Sequence, residues 1–185
     1  MTAKNKLNAY KKRRHFAKTP EPIGTKQTPS KRPIFVVQKH AARQLHYDFR
    51  LESDGVLKSW AIPKGPSTSP KEKRLAIMTD DHPLAYAHFE GTIPKGEYGA
   101  GTVKIWDKGT YRNLKKKNGK IVPIKQCIKN GEIEVWLNGK KLKGGYVLIH
   151  FKPEEQSWLF KKMADEKKKK SETKGKAYAR RALHG

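Results

Sequence analysis

The segment at residues 43–53, RQLHYDFRLES, carries three side chains that together could bind a metal ion and a phosphate group. Alternate residues of an extended strand share one face, so His46, Asp48 and Arg50 would point the same way. His40 lies just upstream and needs only a bend in the chain to join them. Imidazole and carboxylate groups suit a borderline divalent cation, and a guanidinium suits a phosphate. The pattern therefore favours a divalent-cation site that faces a phosphate.

Spacing alone leaves a second interpretation open, because histidine and aspartate are also ordinary on a solvent-facing strand. The residues between them, Tyr47, Phe49 and Leu51, form an apolar face that fixes which side of the strand packs. In a closed barrel the polar side would then face the lumen or its mouth. Burying charged groups there costs free energy, which favours a functional role for them.

The charge of the chain indicates a polyanionic partner. The 185 residues include 42 Lys and Arg against 17 Asp and Glu, a formal net charge of +25. Nucleic acid is the commonest partner of so basic a protein. An anionic membrane is the rival, but the sequence has no amphipathic segment and no apolar run of spanning length to support it.

The single cysteine, Cys127, excludes an internal disulfide and favours a reducing compartment. The N-terminal residues are basic but contain no apolar run of signal-peptide length. We therefore expect a soluble, cytoplasmic protein.

Eight short runs rich in β-branched and aromatic residues fill the middle of the chain. They are IFVVQ, QLHYDFRLE, VLKSWAI, RLAIMT, TVKIWD, EIEVWLN, YVLIHF and SWLFKK. Ser53-Asp54-Gly55 between two of them indicates a hairpin. Residues 83–89 have room for one or two helical turns at most. The pattern predicts a mainly β protein of one compact domain, either a closed barrel or a sandwich of about eight strands.

The chain divides into three segments. Residues 1–32 form a basic N-terminal segment and linker, with a short helix predicted over residues 5–17. Residues 33–160 form the β domain. Residues 161–185 form a Lys-rich tail, predicted to be disordered, which is either a solubilising tail or an electrostatic arm for nucleic acid.

A third histidine, His82, follows two acids that could orient its imidazole or hold it protonated. A turn in which Asp80 and Asp81 cap a helix is an equally good interpretation. By composition alone, Lys64 and Arg74 are surface cations.

The glycine-rich run at residues 90–101 is interpreted as structural. It lacks the following helix and the Gly-Lys-Ser/Thr ending of a nucleotide-binding loop, so it predicts tight turns. The four tryptophans fall within strand runs and are expected in the core, although one of them could stack on a base. They are Trp60, Trp106, Trp136 and Trp158.

Several ordered motifs make the chain resemble one known family. The run FVVQKHAARQLHYDFRLESDGVLKSWAIPKGPS is followed by DDHPLAYAHFEGTIPKGEYGAGTVKIWD and later by SWLFKK, with RRHFAKTPEP upstream. Together they resemble the 3′-phosphoesterase domain of bacterial end-joining DNA ligase D. The resemblance implies a compact β-barrel enzyme that heals DNA or RNA 3′ ends. Such enzymes remove a 3′-terminal ribonucleoside, then hydrolyse the remaining 3′-phosphate to a hydroxyl, and manganese is their usual metal.

The resemblance also implies roles for particular residues. His40, His46 and Asp48 match the metal ligands, with Zn²⁺ or another divalent cation as alternatives to Mn²⁺. The implied catalytic residues, which hold the scissile phosphate or lie beside it, are Arg50, His82 and Tyr86. The implied substrate contacts are Gln38, Lys64, Arg74, Arg14, Glu21 and Asp80.

The implied partners are DNA 3′ ends or primer–templates that carry a 3′-phosphate or a 3′-ribonucleotide. No ligase motif accompanies the phosphoesterase motifs, so we expect a stand-alone version that acts with a separate DNA ligase and end-joining factors. We also expect a monomer that is associated with the nucleoid when it is bound to DNA.

Two positions depart from the family pattern. The usual Arg-Asp-Phe is Arg14-His15-Phe16 here, and the usual Glu-Asp-His is Asp80-Asp81-His82. Both lie where substrate is handled, so they bear on ribonucleoside removal more than on phosphate hydrolysis. Two non-catalytic alternatives stay open: a basic β barrel that only binds nucleic acid, and a barrel like those of basic ribosomal proteins.

Overall fold

The structure is a computed structural model that describes residues 6–24, 30–151 and 156–164. The strands are β1 (Ile34–Ala41), β2 (Leu45–Ser53), β3 (Val56–Ile62), β4 (Lys73–Pro83), β5 (Gly91–Ile93), β6 (Gly101–Asn113), β7 (Lys116–Lys117), β8 (Lys120–Ile121), β9 (Glu132–Gly139), β10 (Lys143–His150) and β11 (Ser157–Lys162). The helices are α1 (Asn8–Lys12), a 3₁₀-helix (Leu84–His88) and α2 (Ile124–Lys129). Within the described residues, no helix has both the length and the apolar character needed to cross a membrane.

Eight antiparallel strands close into a barrel. Hydrogen bonding follows the order β1-β2-β3-β4-β11-β10-β9-β6, and β6 pairs with β1 to complete the ring. The short β5 adds to β6, and β7 and β8 form a separate hairpin. The barrel strands coincide with the eight runs expected from sequence, so the mainly β barrel is confirmed and the sandwich is excluded.

The hairpin expected between β2 and β3 has the turn that its residues predict. Asp54 and Gly55 have φ angles of 52° and 79°. Positive φ at both central positions matches the right-handed twist of the flanking strands, and Asp-Gly tolerates it best. The turn fixes the register in which Arg50 of β2 lies opposite Ser59 of β3.

The lumen of the barrel is a packed apolar core. Phe49 and Leu51 of β2 meet Trp60 of β3 and Phe160 of β11 there, and all eight barrel strands contribute. The rings of Phe49 and Phe160 lie 5.0 Å apart between centroids. Each fully buried side chain of this size contributes about 1.5–3 kcal/mol to folding.

A second apolar cluster covers the outer face of β1 and β3. Val36 and Leu57 project outward, where they pack with Tyr10 of α1 and Tyr86 of the 3₁₀-helix. The polar residues of the candidate site share this outer face. The expectation that they face the lumen is therefore wrong. Both faces of β2 are buried. Its apolar face points into the lumen, and its polar face points outward, beneath the second apolar cluster.

The N-terminal helix is shorter than predicted. The sequence indicated residues 5–17, but α1 ends at Lys12. The Arg14 side chain folds back and donates to the Tyr10 carbonyl over 3.0 Å, which satisfies one of the free carbonyls at the helix end. The early stop lets Arg14 turn toward the site.

The tryptophans divide between core and surface. Trp60 and Trp158 are buried and Trp106 is partly buried, but Trp136 is 42% exposed, so its expected core position is wrong. Residues 133, 135 and 137 of β9 point inward, which obliges Trp136 to point outward. The Arg112 guanidinium lies 5.1 Å from its ring centroid.

Two predictions fall partly or wholly on residues beyond those described. β11 continues to Lys162, slightly past the predicted domain end, and the Lys-rich run at residues 167–170 lies outside the described residues. Residues 25–29 of the predicted linker also lie outside them.

Candidate metal and phosphate site

Three predicted metal ligands converge where β1 ends and β2 begins. His40 lies directly across from His46 in the strand register. Nδ1 of His40 is 3.6 Å from Oδ2 of Asp48, and Nε2 of His46 is 3.7 Å from its Oδ1. One potential ligand atom from each residue lies within 4.8 Å of the other two. Two imidazoles and one carboxylate at this spacing fit a borderline divalent cation.

Hydrogen bonds fix which nitrogen of each imidazole faces the site. The Nε2–H of His40 donates to the Gly99 carbonyl, and the Nδ1–H of His46 donates to the Gln44 carbonyl, each over 2.9 Å. The remaining nitrogens, Nδ1 of His40 and Nε2 of His46, keep their lone pairs toward Asp48. Metal-binding histidines are held by backbone carbonyls in this way.

Asp48 is buried but ionised. Burial alone would raise its pKa, yet the neighbouring charges, the Arg50 guanidinium first among them, outweigh burial and hold the pKa well below its usual range. The group therefore supplies a negative charge to the site at neutral pH.

Arg50 is held rigidly beside the three potential ligands. Its Nε donates to Gln38 and its Nη1 to Ser59, each over 2.8 Å, and its Nη2 donates to Asp48 over 3.1 Å. The guanidinium lies 4.8 Å from the centroid of the Tyr86 ring. These bonds use three of its five N–H groups, and among the described residues one N–H on each terminal nitrogen stays available. That pair suits two oxygens of one phosphate.

His82 closes the opposite side of the cavity. Its Nδ1–H donates to the Asp80 carbonyl over 2.8 Å, and its Nε2 lies 3.4 Å from Nη2 of Arg14. Burial lowers the pKa of His82 well below its usual value, and the cations Arg50 and Arg14 lower it further. The ring is therefore neutral in the ligand-free site.

The two acids before His82 do not hold it protonated, so that alternative is wrong. The Asp80 carboxylate pairs with Arg13 at 3.0 Å, and the Asp81 carboxylate pairs with Lys58 at 2.6 Å. Each carboxylate is therefore paired with its own cation rather than with His82. The backbone of Asp80, rather than its side chain, orients the imidazole.

A buried cluster from the N-terminal segment covers the site. Glu21 accepts hydrogen bonds from Nε of Arg14 at 2.8 Å, from the Thr19 hydroxyl at 2.9 Å and from the Tyr86 hydroxyl at 3.0 Å. The Arg14 guanidinium lies 3.8 Å from the centroid of the Tyr10 ring. Glu21 therefore ties the N-terminal segment to the 3₁₀-helix and positions Arg14.

Replacing Glu21 with alanine is expected to lower the free energy of unfolding by about 3 kcal/mol, because it leaves Arg14 buried without its partner. The side chains of the Arg14–Glu21 pair are only 5% and 0% exposed. Urea denaturation measures the loss. The matched control is Glu72→Ala in the exposed Arg74–Glu72 pair, expected to lose less than about 1 kcal/mol. Equal losses in the two variants would show that Glu21 does not secure the cover.

These groups surround one cavity of about 190 Å³, room for about six water molecules or a phosphate with a few waters. Eight predicted site residues line it: His40, His46, Asp48, Arg50, His82, Tyr86, Arg14 and Asp80. Gln38 and Glu21 lie behind the wall and act through Arg50 and Arg14. Most of the lining was thus predicted from three separate stretches of the sequence, around Arg14, residues 40–50 and residues 80–86.

Lys64 and Arg74 are not brought into this cavity. Lys64 is exposed just past the end of β3, and Arg74 lies near the start of β4, paired with Glu72. Their implied substrate contacts stay predictions. Only a substrate that extends beyond the cavity could reach them.

Several residues of the site were not predicted from the sequence, and four of them contact its charged groups or line the cavity. Tyr10 stacks under Arg14, Ser59 accepts from Arg50, Gly99 accepts from His40, and Tyr98 lines the cavity. Ser59 could have been predicted from the sequence, because the expected hairpin at Asp54-Gly55 sets the register that places Ser59 opposite Arg50. Tyr98 and Gly99 lie in a loop whose path no periodic pattern predicts.

Comparison with known proteins gives similarity over most of the chain. Residues 38–150 match the model of the DNA Ligase D 3′-phosphoesterase domain. The Multifunctional non-homologous end joining protein LigD of Pseudomonas aeruginosa is 43% identical over 169 residues, which are 89% of this chain and 19% of that protein. The protein of the same name from Mycolicibacterium smegmatis is 45% identical over 170 residues, 91% of this chain and 22% of that protein.

The Multifunctional non-homologous end joining DNA repair protein LigD of Mycobacterium tuberculosis is 45% identical over 167 residues, 90% of this chain and 21% of that protein. The chain thus spans about a fifth of the length of the curated relatives it matches. The matched region contains the three potential metal ligands, Arg50 and His82. From its sequence, its barrel and these matches, the chain belongs to the DNA ligase D 3′-phosphoesterase domain family.

Proposed function

We propose that this chain is a metal-dependent phosphoesterase that hydrolyses 3′-phosphate ends of DNA to 3′-hydroxyls for repair and end joining. We extend the proposal to removal of 3′-terminal ribonucleosides. The observation that carries it is that two imidazoles and a carboxylate lie beside the Arg50 guanidinium, inside one cavity. Membership of the family supports the same reaction class.

His40, His46 and Asp48 would hold the ion, for which we propose Mn²⁺, with Zn²⁺ as the alternative. The donor set fits, since its two imidazoles are already oriented by backbone carbonyls and its carboxylate is ionised. When bound, the ion would neutralise phosphate charge and lower the pKa of a water molecule.

Arg50 would bind the phosphate opposite the three ligands. Phosphoryl transfer depends on alignment and charge stabilisation more than on covalent help. Because Gln38, Ser59 and Asp48 already fix the guanidinium, it needs no rearrangement when the phosphate arrives. Two charge-assisted bonds would then hold two phosphate oxygens in a fixed orientation.

His82 would respond to the substrate. A phosphate in the cavity brings negative charge, which favours the protonated imidazole and raises a pKa that burial has lowered. Arg14 can turn its Nη2 from His82 to the phosphate, since only 3.4 Å separates the two nitrogens. Nε2 of His82 would then donate a hydrogen bond to the phosphate or a proton to the leaving 3′ oxygen.

Water is the proposed nucleophile. The Ser59 hydroxyl donates to the Leu57 carbonyl over 3.1 Å and accepts from Arg50. Nδ1 of His82 lies 3.4 Å from this hydroxyl, but it carries the proton that it donates to the Asp80 carbonyl, so it offers no lone pair to act as a base for Ser59. Cys127 is buried between α2 and the core, where Asn113 and Val122 contact its sulfur. These positions favour direct hydrolysis over a covalent intermediate.

The test is a primer–template assay with 3′-phosphate and 3′-monoribonucleotide ends, run with Mn²⁺, Zn²⁺, Mg²⁺ or chelator. We expect phosphate release with Mn²⁺, its loss in chelator and its return when metal is restored. Activity that persists in chelator would overturn metal dependence. Bound DNA with no release under any metal would leave a non-catalytic nucleic-acid-binding barrel. If only the ribonucleotide step is absent, we would attribute its absence to the two departures from the family pattern, His15 and Asp80.

A further inference from the structure

We infer that the end of the barrel next to the cavity binds the nucleic-acid strand that leads to the 3′ end. The binding surface is the basic rim, defined as Lys39, Arg43, Lys104 and Lys141, with Tyr47 and Trp106 beneath it. This inference rests on the proposed function, because it assigns a place to the rest of the same substrate.

The strand register places Lys39 and Lys104 over the end of the lumen. Lys39 of β1 lies opposite Tyr47 of β2 on one side and Lys104 of β6 on the other. Cross-strand partners project from the same face of a sheet. On β1 this is the face of Phe35 and Val37, which point into the core. The three side chains therefore extend from the mouth of the barrel, on the opposite face from the cavity.

An aromatic pair forms the base of this surface. The rings of Tyr47 and Trp106 meet edge to face with centroids 5.6 Å apart, and both pack on the apolar core. The Nζ of Lys141 lies 4.9 Å from the Trp106 ring centroid. Proteins that bind single-stranded nucleic acid without sequence preference combine positive charge along the backbone with aromatic rings that contact the bases, and this surface offers both.

The charge of the rim matches phosphate. Lys39, Arg43, Lys104 and Lys141 are all exposed. The acids near this end have partners of their own: Asp107 accepts from the backbone N–H groups of residues 140–142, Glu90 accepts from the backbone N–H of Ile105, and Glu72 pairs with Arg74. The positive charge of the rim therefore stays available to a strand.

The rim and the cavity are one peptide apart. Lys39 adjoins His40, and Tyr47 adjoins His46, on opposite faces of the same strand ends. We infer that a strand whose terminal phosphate occupies the cavity leaves across this edge, which is the shortest path from the cavity to exposed positive charge. Its next phosphates, one for each nucleotide, would then lie over the rim.

The test compares two matched lysine pairs. Lys39→Gln with Lys104→Gln changes the rim, and Lys116→Gln with Lys117→Gln changes an exposed pair around the distant β7–β8 hairpin. Binding of a 3′-hydroxyl DNA strand of about twelve nucleotides is measured over a salt series, which requires no turnover. We expect the rim pair to lower affinity about tenfold and to reduce the slope of log K against log salt by about 1.5. We expect the hairpin pair to change affinity less than about twofold.

Strand length supplies the second readout. On a dinucleotide, which ends at the edge of the cavity, the defect of the rim pair should shrink to less than about twofold. Equal losses from both lysine pairs, or a rim defect that is independent of strand length, would overturn the inference. If the rim pair lowers strand affinity as expected but the unmodified protein hydrolyses no 3′-phosphate, the proposed function is refuted and this inference still holds.

Discussion

His46→Ala is expected to reduce phosphate release at least about 10³-fold while leaving DNA binding nearly unchanged, because the loss of one ligand removes several kcal/mol of charge stabilisation from the reaction. His46 is the most exposed of the three potential ligands, with 24% of its side chain accessible, so its removal makes only a small change in packing. Its Nε2 faces Asp48, so the truncation opens the site on the side where β2 begins.

Two measurements separate this loss from a structural effect. Phosphate release from a 3′-phosphate oligonucleotide gives the activity, and calorimetric titration with Mn²⁺ gives the metal affinity, which should fall in parallel. The matched control is His88→Ala, which removes an exposed imidazole from the 3₁₀-helix and should leave both quantities unchanged. More than about a tenth of the original activity in His46→Ala would refute the assignment of this residue as a ligand.

Arg50→Lys is expected to lower kcat by about 10²–10³-fold while metal affinity is retained. Lysine keeps the charge but presents it from one nitrogen, so it cannot bond Gln38, Ser59 and Asp48 and still grip two phosphate oxygens. The lost interaction is greatest in the transition state, so kcat should fall more than KM rises.

The assay is run well below the unfolding temperature, because the buried Gln38 and Ser59 also lose a partner. The control, Arg112→Lys, makes the same exchange at the exposed guanidinium over Trp136 and should retain full activity. Full activity in Arg50→Lys would show that a point charge is enough, and the proposed two-oxygen grip would fail.

The sequence predicted the strands well because each barrel strand carries its own local signal. Alternation in QLHYDFRLE was enough to place His46, Asp48 and Arg50 on one face, where the structure has them. It could not show which face turns inward, since both faces of β2 are buried. That choice depends on the outer cover, which comes from the distant Tyr10 and Tyr86.

The parts of the site that were missed depend on tertiary contacts. Nothing in the local pattern around Tyr10 or Gly99 shows that the first packs under Arg14 or that the second accepts from His40. Trp136 was misplaced because the prediction followed β propensity alone, although the alternation of Ile133, Val135 and Leu137 in β9 already assigns Trp136 to the other face. The assignment of Lys64 and Arg74 to substrate came from resemblance alone, and the cavity does not reach them.

The wall formed by β1 and β2 has hydrocarbon on one side and ionic groups on the other, and one hydrogen-bonding register sets both. A slip of a single residue would drive Asp48 and Arg50 into the hydrocarbon and expel Phe49 and Leu51, so the misregistered chain would lose its stability together with its chemistry. Mistakes in strand pairing therefore cannot accumulate as well-folded, inert copies. A stably folded copy of this chain therefore has His46, Asp48 and Arg50 together on the outer side of the barrel wall.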